Sequence, residues 1–259
     1  MSPAPVQTHN LRLDGRQLDA VMWSLGCPSG PPRDGLDPGV ASELQAACSD
    51  LISRGVLRED GGPGVEFVEL LGPLFAPWLI VQAAAFGPAG EEEHVVWVAP
   101  SAASAAGDLG DGRYDLISTT AAGVPAAVVR LLRLGPSAVL ASGEVELPSR
   151  FLDELVTLNG VAGSALVKWL RPWPAVAESV SQGDWRLVHV STQWAPGIFP
   201  RPEQAVARSS GLLALDTPTG LITFQPGSPA LATASSATDL WELLIELTSP
   251  PAEIFESDR

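Results

Sequence analysis

Lysine is almost absent from this chain. Lys168 stands alone, and every other strongly basic residue is an arginine. Together the 15 lysines and arginines face 30 aspartates and glutamates, a formal net charge of −15. A surface that tracks phosphates needs clustered cations, so the balance argues against a nucleic-acid partner. Cysteine is scarce as well: Cys27 and Cys48 cannot build a zinc site or a disulfide framework. No apolar run reaches the ~18 residues of a membrane span. The first ten residues hold no cationic region leading into an apolar stretch, so a cytoplasmic protein without membrane insertion is expected.

What is present points to a globular chain. Hydrophobic residues make up 46% of the 259 and charged residues 17%, which excludes a disordered polyelectrolyte. The 25 glycines and 24 prolines well exceed the ~31 that average usage gives at this length, so regular elements should be short. The bias toward Arg, Ala, Gly and Pro also fits a GC-rich coding sequence.

Residues 1–10 and 250–259 read as tails around one domain, 11–249, with halves of about 11–135 and 148–249. Asp14 and Gln17 form a capping-box pair ahead of Leu18, Val21, Met22 and Leu25 at helical spacing, and Gly26 supplies the stop. Asp37 and Pro38 open a second helix with Val40, Leu44, Ala47 and Leu51 on its apolar stripe. A third, short helix over Val65–Leu71 should stop at Pro73. Strands are expected at Trp78–Phe86, His94–Ala99 and Arg113–Ser118, followed by a helix from Val124 to Leu134. Glu91, Glu92 and Glu93 fall in the loop joining the first two strands.

The second half repeats this order. Strands are expected at Trp185–Ser191, Leu212–Leu215 and Leu221–Phe224, the last two a hairpin. A helix capped by Ser236 and Asp239 runs through Leu240, Leu244 and Leu247. The fold class is therefore α+β: a central antiparallel sheet with a quasi-twofold β-β-β-α repeat and flanking helical bundles. Between the halves, one helix carries Phe151, Leu152, Leu155 and Leu158, and another Leu166, Trp169 and Leu170.

Sequence motifs for catalysis are missing. There is no H-E-x-x-H, no G-x-S-x-G, no P-loop and no dinucleotide fingerprint. His9 lies in the tail, and His94 and His189 sit in expected strands, where a hydrogen-bonded structural histidine is the better reading. Cys48 reads as an inert thiol on an apolar helix face. No cofactor or metal is expected. The Glu91–Glu93 run either attracts a cationic partner or simply solvates a hairpin tip. Of the eight tryptophans, Trp23, Trp97, Trp169 and Trp241 fall on apolar faces and read as core. Trp194 differs, because it opens a proline-stiffened connection, Thr192–Ser210, that also holds Ile198 and Phe199. Such a loop either docks a partner protein or simply packs over the sheet.

The opening LRLDGRQLDAVMWSLG (11–26), the helix ending in RGVL (54–57), the strand GRYDL (112–116), and the closing GLITF (220–224) and DLWELLIEL (239–247) resemble the EspG chaperones of type VII secretion. The resemblance implies a non-enzymatic cytoplasmic chaperone. Its client would be a helical secreted protein, the PPE subunit of a PE–PPE heterodimer, whose apolar tip it covers. It further implies client contacts at Glu91, Glu92 and Glu93, at Trp194, Ile198 and Phe199, and around Leu152, Leu155 and Trp169. Self-association stays open. Two alternatives stand beside this reading: a small-molecule or carbohydrate-binding domain that uses the tryptophans, and a hydrolase with a dispersed triad.

Overall fold

The structure is a computed structural model and describes residues 10–32, 34–148, 151, 162–195, 204, 206, 209–227 and 229–249; side chains at 162–164 are left aside. The chain divides into two compact units: Met1–Ile80 with His94–Val124, and Val81–Glu93 with Pro125–Arg259. The division falls within the hairpin of β2 (Leu79–Gly87) and β3 (Gly90–Val98).

In the first unit, β1 (Leu11–Asp14), β5 (Arg113–Thr119), β4 (Ala103–Asp108) and the end of β3 lie side by side, each antiparallel to its neighbour. Three helices cover one face: α1 (Gly15–Leu25), α2 (Pro38–Ser53) and α3 (Val68–Phe75), the last entered through a 3-10 turn at Val65–Phe67. The Asp14–Gln17 capping box forms, satisfying two backbone donors that α1 would otherwise leave open. Gly26 ends α1 at φ 68°, a left-handed backbone that glycine adopts without penalty. Leu13, Val21, Leu51, Leu71, Leu74 and Leu116 fill the core together with the fully buried Trp97. The Trp97 Nε1–H donates to Ser29 Oγ at 2.9 Å, so the ring is buried with its polar end satisfied.

In the second unit the strand order is β2, β7 (Arg186–Trp194), β8 (Gly211–Thr217), β9 (Gly220–Gln225), β10 (Ala230–Ser235), β6 (Glu144–Leu147). The registered pairs are again antiparallel. On one face, α5 (Ala162–Val167) and α6 (Pro174–Ser181) with the segment between them bring Leu166, Leu170, Trp173, Val176 and Val180 onto Leu187, Leu213, Leu215, Ile222 and Phe224. Side chains alternate along a strand, so Val188, Val190, Leu212, Ala214 and Leu221 point to the other face. That face belongs to α4 (Val124–Leu131) and to α7 (Ala237–Thr248), which buries Leu240 and Leu244.

The α+β class and antiparallel sheet are as expected, and the duplicated order extends further than expected. Each half opens with a strand (β1, β6), continues through helices to four consecutive strands (β2–β5, β7–β10), and closes with a helix (α4, α7). The opening strand pairs with the fourth of the run in both halves. Within these runs the two strands not expected from the sequence are β4 (ASAAGD), third in the first run, and β10 (ALATAS), fourth in the second. Both consist of small residues with weak strand preference, and it is pairing on both sides that holds them extended.

Three local expectations need correction. Pro73 does not stop α3 but lies inside it, buried, because its ring packs into the core while the helix forgoes one backbone bond. Glu91–Glu93 are not a loop; Pro88 and Ala89 make the turn, and the three glutamates run along β3. Val40 is 45% exposed rather than part of the buried stripe of α2, where Leu44 and Leu51 are the buried members.

Candidate partner-binding surface

Strand alternation in the second unit separates a covered from an open part of one sheet face. Leu187 of β7 packs under α5 and α6, so His189, Ser191 and Gln193 lie on that same face. Arg186 points the opposite way. Its guanidinium donates to the carbonyls of Leu132 (2.8 Å) and Arg133 (3.3 Å) just beyond α4 and pairs with Asp216. Glu92 reaches Arg133 at 3.2 Å and therefore also faces the α4 side. By alternation Glu91 and Glu93 point away from α4, toward the face that carries His189.

The result is an open polar strip. Gln82 of β2, Glu91 and Glu93 of β3 and Gln193 of β7 are exposed, and Ala84, His189 and Ser191 are partly so. The Ser191 hydroxyl donates to Gln82 Oε1 across 3.5 Å, tying β2 to β7. Close packing at the turn end is enforced by Gly87, where an added Cβ would sit 2.4 Å from the Trp185 carbonyl oxygen. Burial lowers the pKa of His189, so its ring is neutral at neutral pH. Two carboxylates with no cation on these strand positions suit a polar or basic partner surface.

The other expected contact residues scatter. Trp169 is half-buried beside the α6 core, with Phe151 6.0 Å away by ring centroids and Lys168 Nζ 5.2 Å above its ring. It borders a hollow of about 510 Å³ with Val145, Arg171 and Pro172. Trp194 is corrected: it is the last residue of β7, 5% exposed. β7 runs further than the sequence suggests because the Thr192 N–H still donates to the Ser210 carbonyl at 2.8 Å. Trp194 has the parity opposite to Leu187, and it lines a cavity of about 330 Å³ with Leu212, Leu243 and Leu247 of the α7 side. The structure thus puts Trp194 and the strip on opposite faces. Trp241 is also corrected: α7 is apolar on two sides, and Trp241 (38%) and Ile245 (40%) form the outward one. Leu152, Leu155, Ile198 and Phe199 lie outside the described residues. Gln82, His189, Ser191 and Gln193 were not anticipated as surface residues, although the alternation of WRLVHVSTQW carries the signal.

Among the described residues, His94 and the two cysteines are held in structural settings. His94 is 2% exposed and its Nδ1 accepts the Asp108 backbone N–H at 3.0 Å, a structural role. Both cysteines are free; burial raises the Cys48 pKa, which keeps that thiol protonated and unreactive. Among the described residues no group of three His, Cys, Asp or Glu side chains could hold a metal ion, and no helix is long and apolar enough to cross a membrane.

The arrangement of strands and helices has a solved counterpart. The Mycobacterium tuberculosis type VII secretion system chaperone EspG5, determined in complex with the PE25–PPE41 dimer, matches 94% of this chain and 98% of its own, with a TM-score of 0.58. The fold is that of EspG. Sequence identity is 14%, so the likeness is one of architecture. No family model matches the chain, and no curated protein matches it in sequence. At 94% coverage the EspG-like fold spans both units.

Proposed function

We propose that this protein is a type VII secretion chaperone. It acts in the cytoplasm and binds a folded helical client of the PE–PPE kind by covering an apolar tip, without making or breaking a bond. The observation that carries this reading is the fold match across nearly the whole of both chains to EspG5, a chain solved with such a client. A helical tip that exposes apolar side chains invites aggregation, and a rigid sheet with flanking helices can cover it without unfolding it. The net charge of −15 keeps the chaperone itself soluble.

In this reading the client lies along the polar strip, with Glu91 and Glu93 at one side, and is held by the helices around Trp169. Leu152, Leu155, Ile198 and Phe199 supply apolar contacts. Sugar stacking on Trp194, the tryptophan expected on an open loop, is disfavoured because its ring is buried. A hydrolase is disfavoured because His94 is enclosed in the sheet and the Ser191 hydroxyl, on the strip with His189, donates to Gln82.

Coexpression with PE–PPE pairs encoded in the same genome tests the proposal. One pair should become soluble and copurify, and Glu91→Arg combined with Glu93→Arg should cut recovery several-fold at unchanged thermal stability. Failure of every pair to copurify contradicts the chaperone reading. Unchanged recovery with the double variant contradicts the placement of the client on the strip.

A further inference from the structure

Along α3 and the 3-10 turn before it, the outward positions are apolar. Val65 is 85% exposed, Val68 50% and Phe75 66%. With the exposed Gly72 between them they follow helical spacing and form one stripe about 15 Å long. The opposite side of the helix, Leu70, Leu71 and Leu74, is fully committed to the core. Exposed valines and a phenylalanine aligned in this way are unusual on a solvated helix, whose outward face is normally polar. At Gly72 an added Cβ would meet nothing within 4 Å, so the middle of the stripe is an open notch where another backbone can come close.

Charge selects the occupant. Glu69 sits beside the stripe and Glu66 in the turn before it, both exposed and neither in an ion pair among the described residues. The sequence from Glu59 to Gly112 holds no lysine or arginine. The described arginines of this unit are already engaged: Arg12 with Asp115, Arg16 with Glu43, Arg54 with Asp50, Arg58 with Asp60 and Arg113 with Asp111. A second copy of the chain would bring Glu66 and Glu69 against their own kind, on top of a net charge of −15 per molecule.

We propose that the α3 stripe is a docking site for an amphipathic helix of a partner protein whose apolar face is flanked by lysine or arginine. Val65, Val68 and Phe75 take the apolar face, Gly72 admits the closest approach, and Glu66 and Glu69 meet the flanking cations. A contact of this length is well below the ~1,600 Å² of a standard interface, so binding is weak and reversible. The stripe belongs to the first unit and the polar strip to the second, and the proposal does not rest on the client reading.

The test uses the full chain and a synthetic helical peptide of roughly 18 residues, about five turns, with a Leu/Ala face and lysine flanks. Its control carries glutamate flanks. By fluorescence anisotropy the lysine peptide should bind with micromolar affinity and weaken as salt rises from about 50 to about 300 mM. Gly72→Gln should weaken binding tenfold or more while Tm holds or rises, since the new side chain has room and favours helix; Phe75→Asp should do the same at an unchanged fold. Absence of binding, equal binding of the glutamate peptide, or indifference to Gly72→Gln overturns the proposal. A concentration-dependent dimer that Phe75→Asp abolishes would also overturn it, by assigning the stripe to a second copy.

Discussion

Replacing Arg186 with methionine keeps most of the side-chain volume and removes the group that ties α4 to the sheet. Arg133 adopts a left-handed backbone, φ 51°, just past the end of α4. There the Arg133 N–H donates to Arg130 and the Leu134 N–H to Val129, the closing pattern that usually uses glycine. Arg186 holds this turn by its bonds to the Leu132 and Arg133 carbonyls, and its remaining charge is met by Asp216. A bond to a charged donor contributes about 1.5–3 kcal/mol, and the 3.3 Å bond to Arg133 is the weaker of the two. Asp216, 17% exposed at its side chain, would lose its cation but keep some water. The cost therefore falls below the ~3–5 kcal/mol of a fully buried broken pair, at about 2–3 kcal/mol. For a chain of this size that corresponds to a Tm lower by roughly 4–12 °C. Thermal unfolding followed by circular dichroism at pH 7 measures it. Arg186→Met with Asp216→Leu should recover part of the loss, because the stranded carboxylate is gone. A drop under about 1 °C, or a double variant no better than Arg186→Met alone, would refute the reasoning.

Other consequences are smaller in scale. Asp14→Ala removes one side of the capping box on α1 and should cost about 1 kcal/mol, read by urea unfolding. Gly87→Ala forces a Cβ to within 2.4 Å of the Trp185 carbonyl oxygen and should destabilise by more than about 1 kcal/mol; Gly72→Ala, with nothing within 4 Å, should not destabilise. Burial lowers the His189 pKa in the folded state, so its contribution to stability is present above the unfolded value and is lost as pH falls from there through the lowered folded value. Tm should therefore decline less between pH 7 and pH 5 in His189→Gln than in the parent chain. With Cys27 buried and the Cys48 pKa raised by burial, both thiols should label slowly in the native state and rapidly in denaturant.

Capping residues were the most legible part of the sequence. Asp14 with Gln17 and Ser236 with Asp239 mark their helix starts because a capping side chain answers only to its own backbone. β4 and β10 were invisible because Ala, Ser and Gly carry no strand preference; their neighbours in the sheet decide. Pro73 misled because its buried ring offsets the lost helix bond. Glu91–Glu93 misled because Pro88 and Ala89 suffice for the turn. The candidate surface was less legible than the fold. Glu91 and Glu93 were found by charge, but the face they occupy follows from register. Trp194 reads as a loop residue in sequence because nothing local to QWAPG shows how far β7 continues. Trp241 reads as core in sequence because Leu240, Trp241, Leu243, Leu244 and Ile245 leave two apolar sides, and the sheet takes only one of them.

The central proposal is that the molecule shields a folded client, and mass in solution addresses it directly. Mixed with its cognate PE–PPE heterodimer and passed through size exclusion with light scattering, the chain should elute as one species. The mass of that species should exceed the 27.0 kDa of the chain alone by that of the bound heterodimer. Separate elution of chaperone and heterodimer at micromolar concentration would contradict the account.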